Sequence, residues 1–373
     1  MRSNAAAARA PLIDLLKVVS IQLIVWHHLA FYGPMSDVVY PWAPGLWDWL
    51  YDRGRLAVQV FLVMGGYLAA QSLQRRLQAG AAPLSAGGAL SQVGRRYLRL
   101  VRPYWMALLL ALMAAALARA LMAHPATPEV PTWAQLAAHA LLLQDVFGYD
   151  GLTAGVWYVA IDLQLYALAV ALALAATWLS QGLGGRASRW FAAAASLLVV
   201  LSLYGFNLDP DLDHWAVYFF GAYGLGVLAQ GIGRRRRRWP AVLAMTLVLL
   251  GALVMAWRDR LVVAGITAVV LASWGGVLRP PGLGVALQRH VLTPLADRSY
   301  ALFLVHYPVC LAVNALVTWS WPDDAPMNAL GLALAWMTSL VTSDLLYRLA
   351  EAPRAVPRWA GDAAAFGRSA QRG

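Results

Sequence analysis

Four ionisable side chains sit inside the first apolar segment of this 373-residue chain: Asp14, Lys17, His27 and His28, all within residues 11–30. Lys17 is the sole lysine. Charged groups at the centre of a membrane-spanning helix cost about 2.5–3.5 kcal/mol each on insertion scales, so they are kept where they have a task. Lys17 and His28 are eleven residues apart. On a helix that is three turns and a small remainder, a rise of about 16 Å along one face. Asp14 joins the same stripe, and His27 falls about 80° off it. An imidazole held deep on such a stripe can take a proton from a hydroxyl near neutral pH, a contribution of typically about 10²–10⁴-fold in rate. The plainer alternative is that Asp14 and Lys17 pair at the membrane edge while the histidines cap the other end.

Four further constellations share this mixture of apolar context and isolated polarity. Residues 54–68 end in Gly65-Gly66-Tyr67-Leu68, where glycines let helix backbones approach or simply pack. In residues 95–104, Arg95, Arg99 and Arg102 share a helical face and Arg96 lies three before Arg99. Guanidinium groups in that array suit phosphates, although positive-inside topology and anionic lipid also explain arginines at a membrane edge. That plainer reading alone accounts for the run Arg234 to Arg238. Asp162 sits within the apolar run 156–166, and Ser299 and His306 lie two turns apart on one face of residues 299–308. His306 taken alone reads as a hydrogen-bonded structural histidine.

The elements that carry these groups are helices in a bilayer. The chain is 61% hydrophobic and 13% charged with a mean hydropathy of +0.58, where a soluble domain is about 25% charged. Leu and Ala dominate the apolar runs, which favours helices over barrel strands. An all-α polytopic bundle of ten spans is expected, near 12–31, 56–74, 104–123, 156–178, 190–206, 213–231, 239–257, 260–278, 298–320 and 327–349. Arginines 75, 76, 95, 96, 99, 102, 186, 189, 234–238, 279, 289 and those of the tail then fall on one side, and most aspartates on the other. The basic side is cytoplasmic by the positive-inside rule, with both termini there. The net charge of +11 therefore reads as loop topology, not as nucleic-acid binding. Residues 132–147 are too short to span and read as an amphipathic or re-entrant helix on the acidic side. The first segment is not a removable signal peptide. The single cysteine, Cys310, excludes an intrachain disulfide. The domain is expected over 1–352, with a disordered cytoplasmic tail over 353–373. No ligand set with metal spacing surrounds the adjacent histidines, so no metal is implied.

Taken together, these segments resemble the acyltransferase family 3 of integral membrane acyltransferases. The family opens with an acid, an arginine three later and a histidine eleven beyond it, matched by Asp14, Lys17 and His28. Val58 to Leu68 match a run ending in Ser-Gly-aromatic-Leu. Arg96, Arg99 and Pro103 match Arg-x-x-Arg…Pro, and Trp157 to Tyr166 match a Trp-Ser-Leu-x-x-Glu element. Ser299 to His306 match Ser-Tyr-x-x-Tyr-Leu-x-His, and Glu351 and Pro353 a late Glu-x-Pro. Any one element is weak; six in order are specific. Lys17 stands where the pattern has arginine, Gly65 where it has serine, and Asp162 where it has glutamate.

The resemblance implies transfer of an acyl group, commonly acetyl, from cytoplasmic acyl-coenzyme A to a hydroxyl of a cell-surface glycan or its lipid-linked precursor, at a bacterial inner membrane. On that reading His28 is the general base or carries the acyl group itself. Asp14 and Lys17 support it, with His306 and Asp162 in secondary roles. Arg95, Arg96, Arg99 and Tyr67 hold the coenzyme. Trp42, Trp47 and Trp49 either stack on a sugar or belong to the aromatic belt. The rival classes are a glycan or proton transporter using the same polar residues as a relay, and a non-catalytic partner of a polysaccharide-export machine.

Overall fold

The computed structural model describes residues 11–78, 83–125, 127–274 and 283–352. Helices stand at all ten expected spans: α1 (Pro11–Phe31), α2 (Val58–Arg76), α3 (Ala86–Leu121), α4 (Val156–Gly182), α5 (Ala187–Tyr204), α6 (Ala216–Gly233), α7 (Trp239–Met255), α8 (Asp259–Trp274), α9 (Ser299–Ser320) and α10 (Ala325–Leu346). Among the described residues there is no strand. Eight of the helices are long and apolar enough to cross a membrane, α7 and α8 being shorter at 17 and 16 residues. In hydrocarbon every backbone N–H and C=O needs an internal partner, which a helix supplies to itself. The expected tail from Pro353 onward and Arg279 lie outside the described residues.

Local chemistry sets the helix ends. Ser85 caps α3, its Oγ accepting from Gly88 N at 3.1 Å, and Asp324 caps α10 by accepting from Met327 N at 2.8 Å. α3 begins well before the expected 104, because its first turns lie beyond the apolar stretch and expose Arg95 and Arg99. The helix expected over 132–147 is only Trp133–Ala140. Leu142 follows with φ 59°, a left-handed conformation that ends it. The neighbouring His139 accepts the Leu152 N–H at 3.1 Å and pins the returning loop.

α6 and α9 form the centre. Of their apolar windows 72% and 78% are buried, against 28% for the peripheral α5. α2 crosses α6 at backbone contact: a Cβ on Gly66 would lie 1.8 Å from the Tyr223 carbonyl oxygen, and one on Gly226 would lie 1.9 Å from that of Val63. These positions admit only glycine. Gln164 on α4 clamps the start of α6, accepting from Ala216 N at 3.0 Å and donating to His214 O at 3.2 Å. Arg258, between α7 and α8, donates to Leu203 O, Ala252 O and Ala256 O at 3.0, 2.9 and 3.1 Å, satisfying carbonyls at the ends of α5 and α7.

Successive spans run in opposite directions, so the start of α1 and the end of α10 come to one end of the bundle. Lys17 and Glu351 line a common cavity there. That end, with Arg75, Arg76, Arg95, Arg96 and Arg99, is the basic end; the other, with Asp37, Asp52, Asp145, Asp213 and Asp259, is the acidic end, although Arg53, Arg55, Arg258 and Arg260 also lie there.

Candidate active site

α1 and α9 pack side by side and bring together two histidines 278 residues apart in sequence. His28 Nδ1 lies 2.7 Å from His306 Nε2, with the rings stacked at 4.9 Å between centroids. His306 Nδ1 lies 3.0 Å from the Leu302 carbonyl oxygen, one turn earlier on α9. A carbonyl only accepts, so His306 carries its hydrogen on Nδ1. In the neutral ring Nε2 is then an acceptor, and the hydrogen between the two rings belongs to His28 Nδ1. The outcome is a fixed tautomer. The Nε2 lone pair of His28 is left for chemistry, and a proton taken there leaves the existing hydrogen bond intact. His27 is used differently: its Nδ1 donates to Leu50 O at 3.0 Å and ties α1 to the helix Pro44–Arg53.

His28 borders a cavity of about 1090 Å³ at the acidic end. Its wall is strongly charged, with Asp52, Asp145, Asp213, Arg53, Arg55 and Arg260 among the contributors. Arg53 is paired with Asp259, and Arg260 donates to the Tyr218 hydroxyl and to Asn207 O at 3.0 Å. Burial pushes the Asp145 carboxyl above the usual carboxylate range, against the opposing hydrogen bond from Gln144. Trp157, stacked on Phe219 at 5.5 Å, supplies an aromatic wall. Trp42 and Trp49 are exposed and do not line this cavity, and Trp47 packs against the core.

A second, narrower cavity of about 240 Å³ faces the basic end. Lys17, Arg96, Arg99, Asp162, Ser299 and Glu351 are on its wall. Arg96 Nε and Nη2 both donate to Asp162 Oδ2, at 3.1 and 2.6 Å, and the guanidinium lies 5.5 Å from the centre of the Tyr166 ring. Arg96 and Asp162, assigned separate roles from the sequence, are therefore one ion pair. Asp162 belongs to this cavity and not to the histidines. Gly65 lies beside it: a Cβ there would be 3.7 Å from Asp162 Oδ1 and 3.3 Å from the Tyr223 ring. A Glu351 oxygen is buried without a hydrogen-bond partner.

The other expected residues distribute unevenly. Asp14 is buried and accepts from Thr293 Oγ1 at 3.0 Å, bracing the start of α1. Arg95 is exposed at the basic end, donating to Ser91 Oγ at 2.5 Å outside the cavity wall. Tyr67 packs in the core and lines neither cavity. Phe303 carries no polar signal, yet it borders both cavities. Its place between Ser299 and His306, at four and three residues' distance on one helix, is the spacing that reveals it.

Among the described residues no group of three His, Cys, Asp or Glu side chains is placed to hold a metal. Comparison with curated proteins and with solved structures finds no match. The family model described as an acyltransferase domain matches residues 11–348, which takes in both histidines and the walls of both cavities except Glu351. With its apolar helices and this match over nearly all of its length, the chain belongs to the acyltransferase 3 family of multi-pass membrane acyltransferases.

Proposed function

We propose that this protein is an O-acyltransferase of the bacterial inner membrane, moving an acyl group, acetyl in the first instance, from cytoplasmic acyl-coenzyme A to a hydroxyl of an extracytoplasmic or lipid-linked glycan. The observation that carries the reading is the oriented pair of His28 and His306 at the edge of a large polar cavity. His28 Nε2 takes the acceptor's hydroxyl proton as its oxygen attacks the thioester carbon. The new C–O bond forms, the C–S bond breaks, and the proton passes from His28 to the departing thiolate. His306 is a positioning residue that fixes the tautomer of the base.

The two cavities suit two kinds of substrate. A charged chamber with the Trp157 and Phe219 faces fits a bulky hydroxylated acceptor, since sugars combine polar edges with a face that stacks. The narrow basic-end cavity fits an extended thioester arm. Arg96 is committed to Asp162, so the coenzyme's phosphates fall to Arg99, Lys17 and the exposed Arg95 at that end. Asp14 braces the helix that carries the base.

The test is thiol release from acetyl-coenzyme A by the full chain in lipid nanodiscs, with and without glycan acceptors, in wild type and His28→Ala. Acceptor-dependent release that His28→Ala removes is the expected result. Equal release by His28→Ala, or none from wild type with any acceptor, would overturn the assignment. Cavities opening toward opposite ends also suit a carrier, and acceptor movement across the bilayer without thioester turnover would favour that reading.

A further inference from the structure

The two cavities meet at a single side chain. Phe303 is the residue common to both walls. Its ring is nearly fully buried and stands edge-on to Tyr158 at 5.4 Å, while Tyr158 stands edge-on to Phe61 at 6.4 Å. The Phe303 ring also lies 6.1 Å from that of His306. Three aromatic rings from α2, α4 and α9 thus form a septum across the path from the Arg96–Asp162 pair to the histidines. The backbone is fitted to the Phe303 ring. Gly155, at φ 80° before the first turn of α4, leaves the space that the ring tip fills; a Cβ there would lie 2.6 Å from Phe303 Cζ.

We infer that Phe303 is the water-excluding partition between the donor and acceptor compartments, and that its ring swings aside to let the thioester meet His28. This rests on the acyl-transfer reading above. The physical need is specific. A thioester carbon beside a general base reacts with whichever O–H arrives first. With the glycan hydroxyl the products are ester and thiol; with water they are the free acid and thiol, and the acyl group is wasted. A wide polar cavity brings water to the histidines, so the thioester has to be kept out until the acceptor fills it. A phenylalanine rotating about χ1 is a small door of the right kind, since its staggered positions are discrete and its closed position is packed against Tyr158, His306 and Gly155.

The experiment has one readout that needs no catalysis. In a Cys310→Ala background, Met64→Cys places a thiol on the wall of the basic-end cavity. A small membrane-impermeant methanethiosulfonate is then applied from the acidic-end side of oriented vesicles. Opening the septum by Phe303→Ala is expected to speed labelling about tenfold, with Phe303→Leu intermediate and Phe303→Tyr unchanged. In parallel, acceptor-free thiol release from acetyl-coenzyme A should rise about tenfold relative to acyl transfer in Phe303→Ala. Should the alanine variant fail to fold, the leucine variant carries the same comparison. Labelling unchanged in both variants overturns the partition, whatever the enzyme does. Faster labelling with no thioester turnover in any form keeps the partition and overturns the donor assignment instead.

Discussion

The cavity at the acidic end and the cavity at the basic end solve opposite problems with the same kinds of residue. At the acidic end, charges are many and spread over loops and helix ends, and the space is about 1090 Å³. At the basic end, charge is concentrated in one half-buried ion pair with Lys17, Arg99 and Glu351 around it, and the space is about 240 Å³. Roomy surfaces of mixed sign recognise many hydroxylated shapes weakly. A tight slot with one fixed ion pair accepts a single shape. On the proposed assignment the contrast separates an invariant substrate from a variable one: the tight slot would take the common acyl donor, and the roomy chamber is where a family with one chemistry can diversify its acceptors.

The sharpest way to break this comparison is at the boundary. His28→Ala should lower the rate of transfer by about 10²–10⁴-fold with thermal stability in detergent nearly unchanged. His306→Ala should lower the rate less, and also shift the pH dependence of kcat, because His28 then loses the acceptor that fixes its tautomer. A transfer rate indifferent to both substitutions would mean that the pair is architectural.

Next comes the ion pair. Arg96→Ala leaves the Asp162 carboxylate buried without its partner, and a loss of about 3–5 kcal/mol in unfolding free energy is expected. The double variant Arg96→Met, Asp162→Leu should recover much of it. Failure of that rescue would show that Arg96 serves the donor more than the fold. Smaller again, Lys17→Ala should raise the KM for acyl-coenzyme A while leaving KM for the acceptor alone, since Lys17 borders only the narrow cavity. An equal change in both constants would erase the division of labour.

The smallest expected effect is at Asp145. Its carboxyl is raised by burial, so the folded protein binds that proton more tightly than the unfolded chain. Stability linked to Asp145 is therefore greatest below the ordinary aspartate pKa of about 3.9 and is lost as pH rises through the raised value. Asp145→Asn should flatten this decline, and melting curves of the two proteins should diverge as pH is brought from about 4 to neutral. Parallel curves would mean that Gln144 holds the ionised form without cost.

Much of this arrangement is legible in the chain before folding. The spans declare themselves because lipid demands long apolar windows, and even the tight turn between α7 and α8 is visible as Arg258, Asp259 and Arg260. The stripe on α1 is legible because three residues of unusual type repeat at helical spacing. Pairings across helices are another matter. Arg96 and Asp162 are 66 residues apart, and nothing in their spacing pairs them; the family resemblance implies a coenzyme role for one and a secondary catalytic role for the other. Tyr67 stands in a motif of the family pattern, and the backbone contact beside it places its ring in the core. Phe303 is marked only by its place on the face that Ser299 and His306 share, because an apolar residue in an apolar helix carries no chemical signal of its own.

Gly66 and Gly226 have an effect that reaches beyond their own contact. Because a Cβ on either would fall within bonding range of the opposite backbone, the gap between α2 and α6 is set by two absent side chains. Tyr223 on α6 and Gly65 on α2 carry that gap to the Asp162 carboxylate, as the Tyr223 ring would lie 3.3 Å from a Cβ at Gly65. The calibre of the narrow basic-end cavity is thus gauged from behind its walls, and a methyl group added at the crossing would re-bore it without touching a residue that lines it.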